Sequence, residues 1–233
     1  MAYANPPSSP AIAGHFTASN LDPLILLVPG LGDSGPAHWQ SAWERDLRMA
    51  QRVDLGSWDD PRRNLWVNKL NLAIRRADRP VVLVAHSLGC LAVAWWAEWE
   101  AAEEEHNVIG ALLVAPPEVD LGEPDPRLVR FAPTPVQPFP FPSIVAASRN
   151  DPYIRFGRAR KLAEAWGSRF ADAGEIGHIN ADSDIGDWGF GRFLLHQLLG
   201  RPAPLSARHA SALAGTIAAL PGHPLDAGLV ERA

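Results

Sequence analysis

Val81-Val82-Leu83-Val84-Ala85-His86-Ser87-Leu88-Gly89-Cys90 opens with five consecutive apolar residues and continues into an Ala- and Trp-rich stretch that ends near residue 100. A short, unbroken apolar run reads as a strand buried on both faces, the kind that parallel sheets use. Residues 88–100 read as the helix that follows. Ser87 sits at the turn between them, with Ala85 two residues before it and Gly89 two residues after. Small residues at those positions let strand and helix approach closely while the turn lifts the serine above the sheet, which is the context of a nucleophile elbow. The plainer reading of Ser87 is an N-cap for the helix. His86, its immediate neighbour, points elsewhere and reads as a packing residue, not as a base.

The same alternation extends on both sides. Leu24–Val28 is a second buried run closed by Pro29-Gly30. Trp39, Trp43 and Leu47 recur at helical spacing behind Pro36, which a first helical turn tolerates. Residues 52–58 form a weaker strand candidate, 65–77 a helix stopped by Pro80, and 108–115 a strand stopped by Pro116-Pro117. Residues 116–142 hold nine of the 22 prolines, too many for a helix or a central strand, and read as an ordered loop or small cap over the sheet. Alternation resumes with a strand at Ser143–Ala147, a helix at 156–166, a weaker strand at 169–173 and a final helix at 188–199. The predicted fold is α/β: a doubly wound, mostly parallel six-stranded sheet with helices on both faces.

The chain has 233 residues, of which 47% are hydrophobic and 20% charged, enough for one domain with a full core. That domain is expected over residues 21–200, behind a flexible leader at 1–20 and ahead of a tail at 201–233 with room for one helix at 205–220. A net charge of −5 with no basic stripe excludes nucleic acid as an expected partner. One cysteine, Cys90, cannot make an intramolecular disulfide or a thiolate metal cage, and a reducing cytoplasm fits it. No apolar run approaches the ~20 residues that span a bilayer, and the first residues lack a signal-peptide pattern, so no membrane association is expected.

A serine nucleophile needs a base within hydrogen-bond reach and an acid that fixes the base's tautomer. In chains with such an elbow the order is serine, acid, histidine. Ser148-Arg149-Asn150-Asp151-Pro152 follows a strand, and Asp151 at its end is the candidate acid, with Glu118 and Asp120 as rivals and an Asx-turn as its simpler role. Gly177-His178 follows the last strand, and His178 is the candidate base. His196 falls inside a helix, His209 and His223 in the tail and His15 in the leader. Backbone amides of Leu88, after the serine, and of Leu31, between Gly30 and Gly32, are the candidate oxyanion donors. No metal or organic cofactor is required by this chemistry, whose expected partner is a small acyl substrate.

Gly30-Leu31-Gly32-Asp33-Ser34-Gly35 also matches the dinucleotide fingerprint G-x-G-x-x-G after a buried strand, with Asp54 further on. Against a Rossmann reading, Pro36 delays the helix that would receive a pyrophosphate, and the order Ser87, Asp151, His178 would be accidental.

Pro29-Gly30-Leu31-Gly32-Asp33-Ser34 with His38-Trp39 and Trp43, then Ala85-His86-Ser87-Leu88-Gly89, Ala115-Pro116-Pro117, Ser148-Arg149-Asn150-Asp151-Pro152-Tyr153 and Gly177-His178-Ile179-Asn180 carry a resemblance over residues 24–199. The chain resembles the small serine hydrolase family of the α/β-hydrolase superfamily that contains retinoblastoma-binding protein 9 and bacterial YdeN-type hydrolases. The resemblance implies Ser87 as nucleophile, Asp151 as acid and His178 as base, a core without a large helical lid, and hydrolysis of small esters or related acyl compounds. Some relatives are discussed as binding partners of other proteins, so it also admits a noncatalytic interaction module. Trp39, Trp43, Trp95, Trp96 and Trp99 read as core packing, and His38 as a helix-start hydrogen-bonding residue with a possible reach to substrate.

Overall fold

The computed structural model describes residues 22–101, 106–122 and 125–200, so the leader, the tail and the helix expected at 205–220 lie outside the described residues. In chain order the elements are β1 (Leu24–Val28), α1 (Trp39–Asp46), β2 (Ala50–Arg52), α2 (Arg63–Arg75), β3 (Val81–His86), α3 (Leu88–Trp99), β4 (Val108–Val114), α4 (Pro126–Val129), β5 (Ser143–Ala147), α5 (Phe156–Ala165), β6 (Arg169–Asp172) and α6 (Gly189–Leu198). The six strands form one sheet in the order β2-β1-β3-β4-β5-β6, every pair parallel.

Side chains that alternate along β1 supply both layers of core. Leu24, Leu26 and Val28 pack with Trp66 and Leu70 of α2, Leu91 of α3 and Leu162 of α5, whereas Ile25 and Leu27 face Trp39 and Trp43 of α1 and Leu194 and Leu195 of α6. Helices therefore cover both faces, as strands without a polar side require. Helix α3 is buried from Leu88 through Ala97 because the sheet lies on one side of it and α2 on another, which explains its lack of a polar stripe. Trp95 and Trp96 are buried in this layer, their indole N–H groups donating to Phe131 O and Asn71 Oδ1.

The strand order places the site. From β1 the chain crosses to β2 at the edge by way of α1, while β3 pairs on β1's other side and continues into α3 on the opposite face. The carboxyl ends of β1 and β3 thus form the topological switch point of the sheet, where a crevice opens and ligands of open α/β sheets bind.

Two expectations need correction. The second strand is Ala50–Arg52, not 52–58. Val53 and Leu55 are buried, which is the apolar signal the sequence carries, but Gly56 and Ser57 take positive φ and turn the chain out of the sheet. Pro36 does not open the first helix, which starts at Trp39 behind an N-cap at His38. The described part of the Pro-rich segment packs as a small cap: it contains α4, lays Phe131 on Trp66 at 5.4 Å, and lets Pro135 O accept the Trp166 indole N–H.

Cys90 lies inside α3, its sulfur 3.3 Å from Val114 O, and burial raises its pKa far above that of a free thiol. Immediately before it, Gly89 touches the end of β1: a Cβ there would lie 2.4 Å from Val28 O and 2.5 Å from Pro29 O. Backbone cannot yield as a side-chain tip can. Gly89→Ala should destabilise the fold by about 3 kcal/mol or more, visible in calorimetry as a melting point lowered by roughly 6–12 °C; an unchanged melting point would contradict this packing.

Candidate active site

Ser87 adopts φ 52° and ψ −126°, a region that side-chain-bearing residues avoid, between the end of β3 and the start of α3. Its amide donates to Val114 O at 2.9 Å, which anchors the turn to β4. Ser87 occupies the N-cap position of α3, as the plainer reading has it, but its hydroxyl makes no capping bond to the helix. Instead Oγ lies 2.8 Å from His178 Nε2.

His178 and Asp151 sit on the loops that leave β6 and β5. His178 Nδ1 lies 3.0 and 2.9 Å from the two oxygens of Asp151, whose side chain is fully buried. A carboxylate can only accept, so Nδ1 carries the proton and Nε2 is free to accept from Ser87. Asp151 Oδ1 also accepts the Tyr153 amide at 2.9 Å, the Asx-turn that the sequence allows, so the turn and the contact with His178 coexist. The rival carboxylates lie elsewhere: Glu118 and Asp120 both bind Arg158, at 2.8 and 3.2 Å.

The two loops brace each other through residues to which the sequence assigned no role of their own. Arg149 N–H donates to Gly174 O, Ile176 N–H to Ser148 Oγ, and Gly177 N–H to Asn150 Oδ1. Trp39, read as core, also donates its indole N–H to Ile179 O at 2.8 Å, holding the residue after His178. His86 Nε2 lies 3.0 Å from His178 O and must donate to it, so His86 supports the histidine's backbone in the packing role expected of it. Burial, reinforced by neighbouring His38 and His178, keeps the His86 pKa well below its ordinary value, and the ring stays neutral.

A second polar cluster shapes the loop after β1. Buried Gln40 donates to Val84 O at 3.0 Å and accepts from Ser34 Oγ at 2.6 Å, tying the loop to the end of β3. Arg52, at the end of β2, binds Asp33 through both carboxylate oxygens at 3.1 Å, together with Ser34 O and Ser41 Oγ. Gly30 is pressed onto the elbow: a Cβ would meet Ser87 Cβ at 2.8 Å and lie 3.3 Å from Leu88 N. Leu31 therefore follows directly on a residue that touches Leu88, and among the described residues its N–H donates to no acceptor. Leu88 N–H, in the first turn of α3, has no intrahelical partner to serve. Of the glycines in the fingerprint match only Gly30 makes this close contact, and the helix after them starts only at Trp39. A cavity of about 230 Å³ opens over Ser87 and His178, with Leu31, His38, Leu128 and Tyr153 among the residues that line it. Tyr153 lies across the His178 ring at 4.4 Å between centroids.

Sheet order and elbow together make this an α/β-hydrolase, and among the described residues no large lid covers the crevice. The chain belongs to the serine hydrolase family, whose profile matches residues 25–197. It is similar to a YdeN-like hydrolase of Pectobacterium atrosepticum, with 35% identity and a TM-score of 0.66 over 75% of this chain and 89% of that one. The ydeN gene product of B. subtilis shares the fold at 19% identity, with a TM-score of 0.62 over 77% of this chain and 100% of that one. Est1E of Butyrivibrio proteoclasticus does so at 15% identity, with a TM-score of 0.55 over 76% and 88%. No curated protein sequence matches the chain. Among the described residues no helix is long and apolar enough to cross a membrane.

Proposed function

We propose that this hydrolase cleaves small acyl esters through an acyl-enzyme on Ser87, with His178 as base and Asp151 as acid. The observation that carries the reading is the unbroken hydrogen-bonded line from Ser87 Oγ through the His178 ring to buried Asp151, standing on a strained turn. Ser87 Oγ attacks the ester carbonyl as its proton passes to His178 Nε2, and Asp151 stabilises the imidazolium that forms. The amides of Leu88 and Leu31 receive the oxyanion. The tetrahedral adduct then collapses, His178 returns its proton to the departing alcohol, and a water activated by the same nitrogen releases the acid.

Every step is proton transfer and acyl transfer, so the reading calls for no metal or organic cofactor. Its partner is a small molecule, not a nucleic acid or a membrane, and the cytoplasm expected from the lone cysteine belongs to the same reading. A cavity of about 230 Å³ suits short acyl groups. With p-nitrophenyl esters of increasing chain length, kcat/KM should peak between acetate and butyrate and fall at least about tenfold by decanoate. An optimum at long chains would overturn the substrate class; no hydrolysis of any ester would overturn the reading.

A further inference from the structure

His38 performs one task that the sequence allows it and holds a second in reserve. Its Nδ1 accepts the Gln40 amide at 3.1 Å, capping α1. An imidazole that accepts at Nδ1 carries its proton on Nε2 when neutral. His38 is only 4% exposed, and burial, aided by the nearby Arg52 and His178 charges, lowers its pKa to about 4, so the neutral ring persists at physiological pH. Yet Nε2 is buried and has no hydrogen-bond partner among the described residues. Leaving a buried donor unmade is costly, and natural sites retain such groups when something else completes them. His38 lines the same cavity as Ser87 and His178.

From this geometry we infer that the Nε2–H of His38 donates a hydrogen bond to an uncharged oxygen in the acyl chain of the substrate, so that the site takes acyl groups bearing an ether, hydroxyl or keto oxygen near the scissile carbonyl. The inference rests on the ester-hydrolase reading. The oxyanion already has the Leu31 and Leu88 amides, leaving His38 for a different acceptor. A neutral donor suits a neutral oxygen, since a carboxylate would be better served by a cation. An apolar chain in the same place would leave the donor unpaired, and sites with a dedicated donor discriminate strongly against such analogues.

p-Nitrophenyl methoxyacetate and butyrate have acyl chains with the same number of heavy atoms and differ by an oxygen in place of a methylene. The ratio of their kcat/KM values, divided by the ratio of their hydroxide-catalysed rates, reports recognition of that oxygen. In the wild type the corrected ratio should exceed unity by about tenfold. His38→Asn keeps an N-cap for α1, because asparagine accepts at that position as well as histidine does, but it withdraws the distant donor. Its corrected ratio should collapse towards unity, while its melting point and its labelling by a fluorophosphonate remain those of the wild type. A ratio unchanged by His38→Asn would overturn the inference and leave the N–H resting on the His86 ring, 4.7 Å away between centroids. A wild-type ratio near unity would overturn it as well. If the wild type hydrolyses neither ester and takes no label at Ser87, the ester-hydrolase reading itself fails, and this inference fails with it.

Discussion

Ser87→Ala should lose about 10⁶ in kcat on any ester the wild type hydrolyses, and intact-mass spectra should show no fluorophosphonate adduct. The substitution removes one oxygen and nothing else that the site depends on. The amide that holds the turn to Val114 is backbone, Gly30 and Gly89 still fit against a methyl group, and alanine occupies φ 52° at no greater penalty than serine. A thermal melt close to the wild type should therefore accompany the lost activity, which separates chemistry from folding. Equal labelling of both proteins would remove Ser87 from the nucleophile's role. A cellular function that survives Ser87→Ala would favour the interaction-module reading over the enzyme.

Asp151→Asn should lower kcat by up to about 10⁴ with little change in KM. The reason lies in which atom of the new amide faces the histidine. Asp151 Oδ1 accepts the Tyr153 amide at 2.9 Å, and an asparagine carbonyl would keep that bond. Its NH₂ group then faces His178 Nδ1, which can only accept it, so the ring's proton moves to Nε2. In that tautomer the ring cannot take the Ser87 proton. Glu118→Gln and Asp120→Asn should change kcat little, because both carboxylates are engaged by Arg158. A large loss from Asp120→Asn with only a few-fold change from Asp151→Asn would move the acid to the loop after β4.

What the sequence revealed about this site was what local chemistry dictates. The runs at Leu24–Val28 and Val81–Ala85 could be read because strands buried on both faces leave no polar interruption, and Ser87 because Ala85 and Gly89 stand within two residues of it. Asp151 and His178 followed from chain order. The β2 strand was misplaced because burial at Val53 and Leu55 looks the same in an extended loop as in a strand. Gln40, Arg52, Ser148 and Asn150 were assigned no role for another reason. Each works by meeting a segment distant in sequence or on a neighbouring loop, such as Gln40 on Val84 O, and single polar residues give no periodic signal of such a meeting. Trp39 was recognised as core, but its indole donor could not be assigned an acceptor 140 residues away.

The burial of Cys90 has a practical consequence. It is the chain's only thiol, sealed behind the elbow with its pKa pushed far from the range in which thiolates form, so alkylating reagents and mild oxidants have no foothold on the native protein. A cysteine introduced at an exposed position such as Leu121, 63% accessible on the cap, would be the single reactive thiol in the folded chain. Spectroscopic labels could then report on the cap without first altering the helix on which the elbow rests.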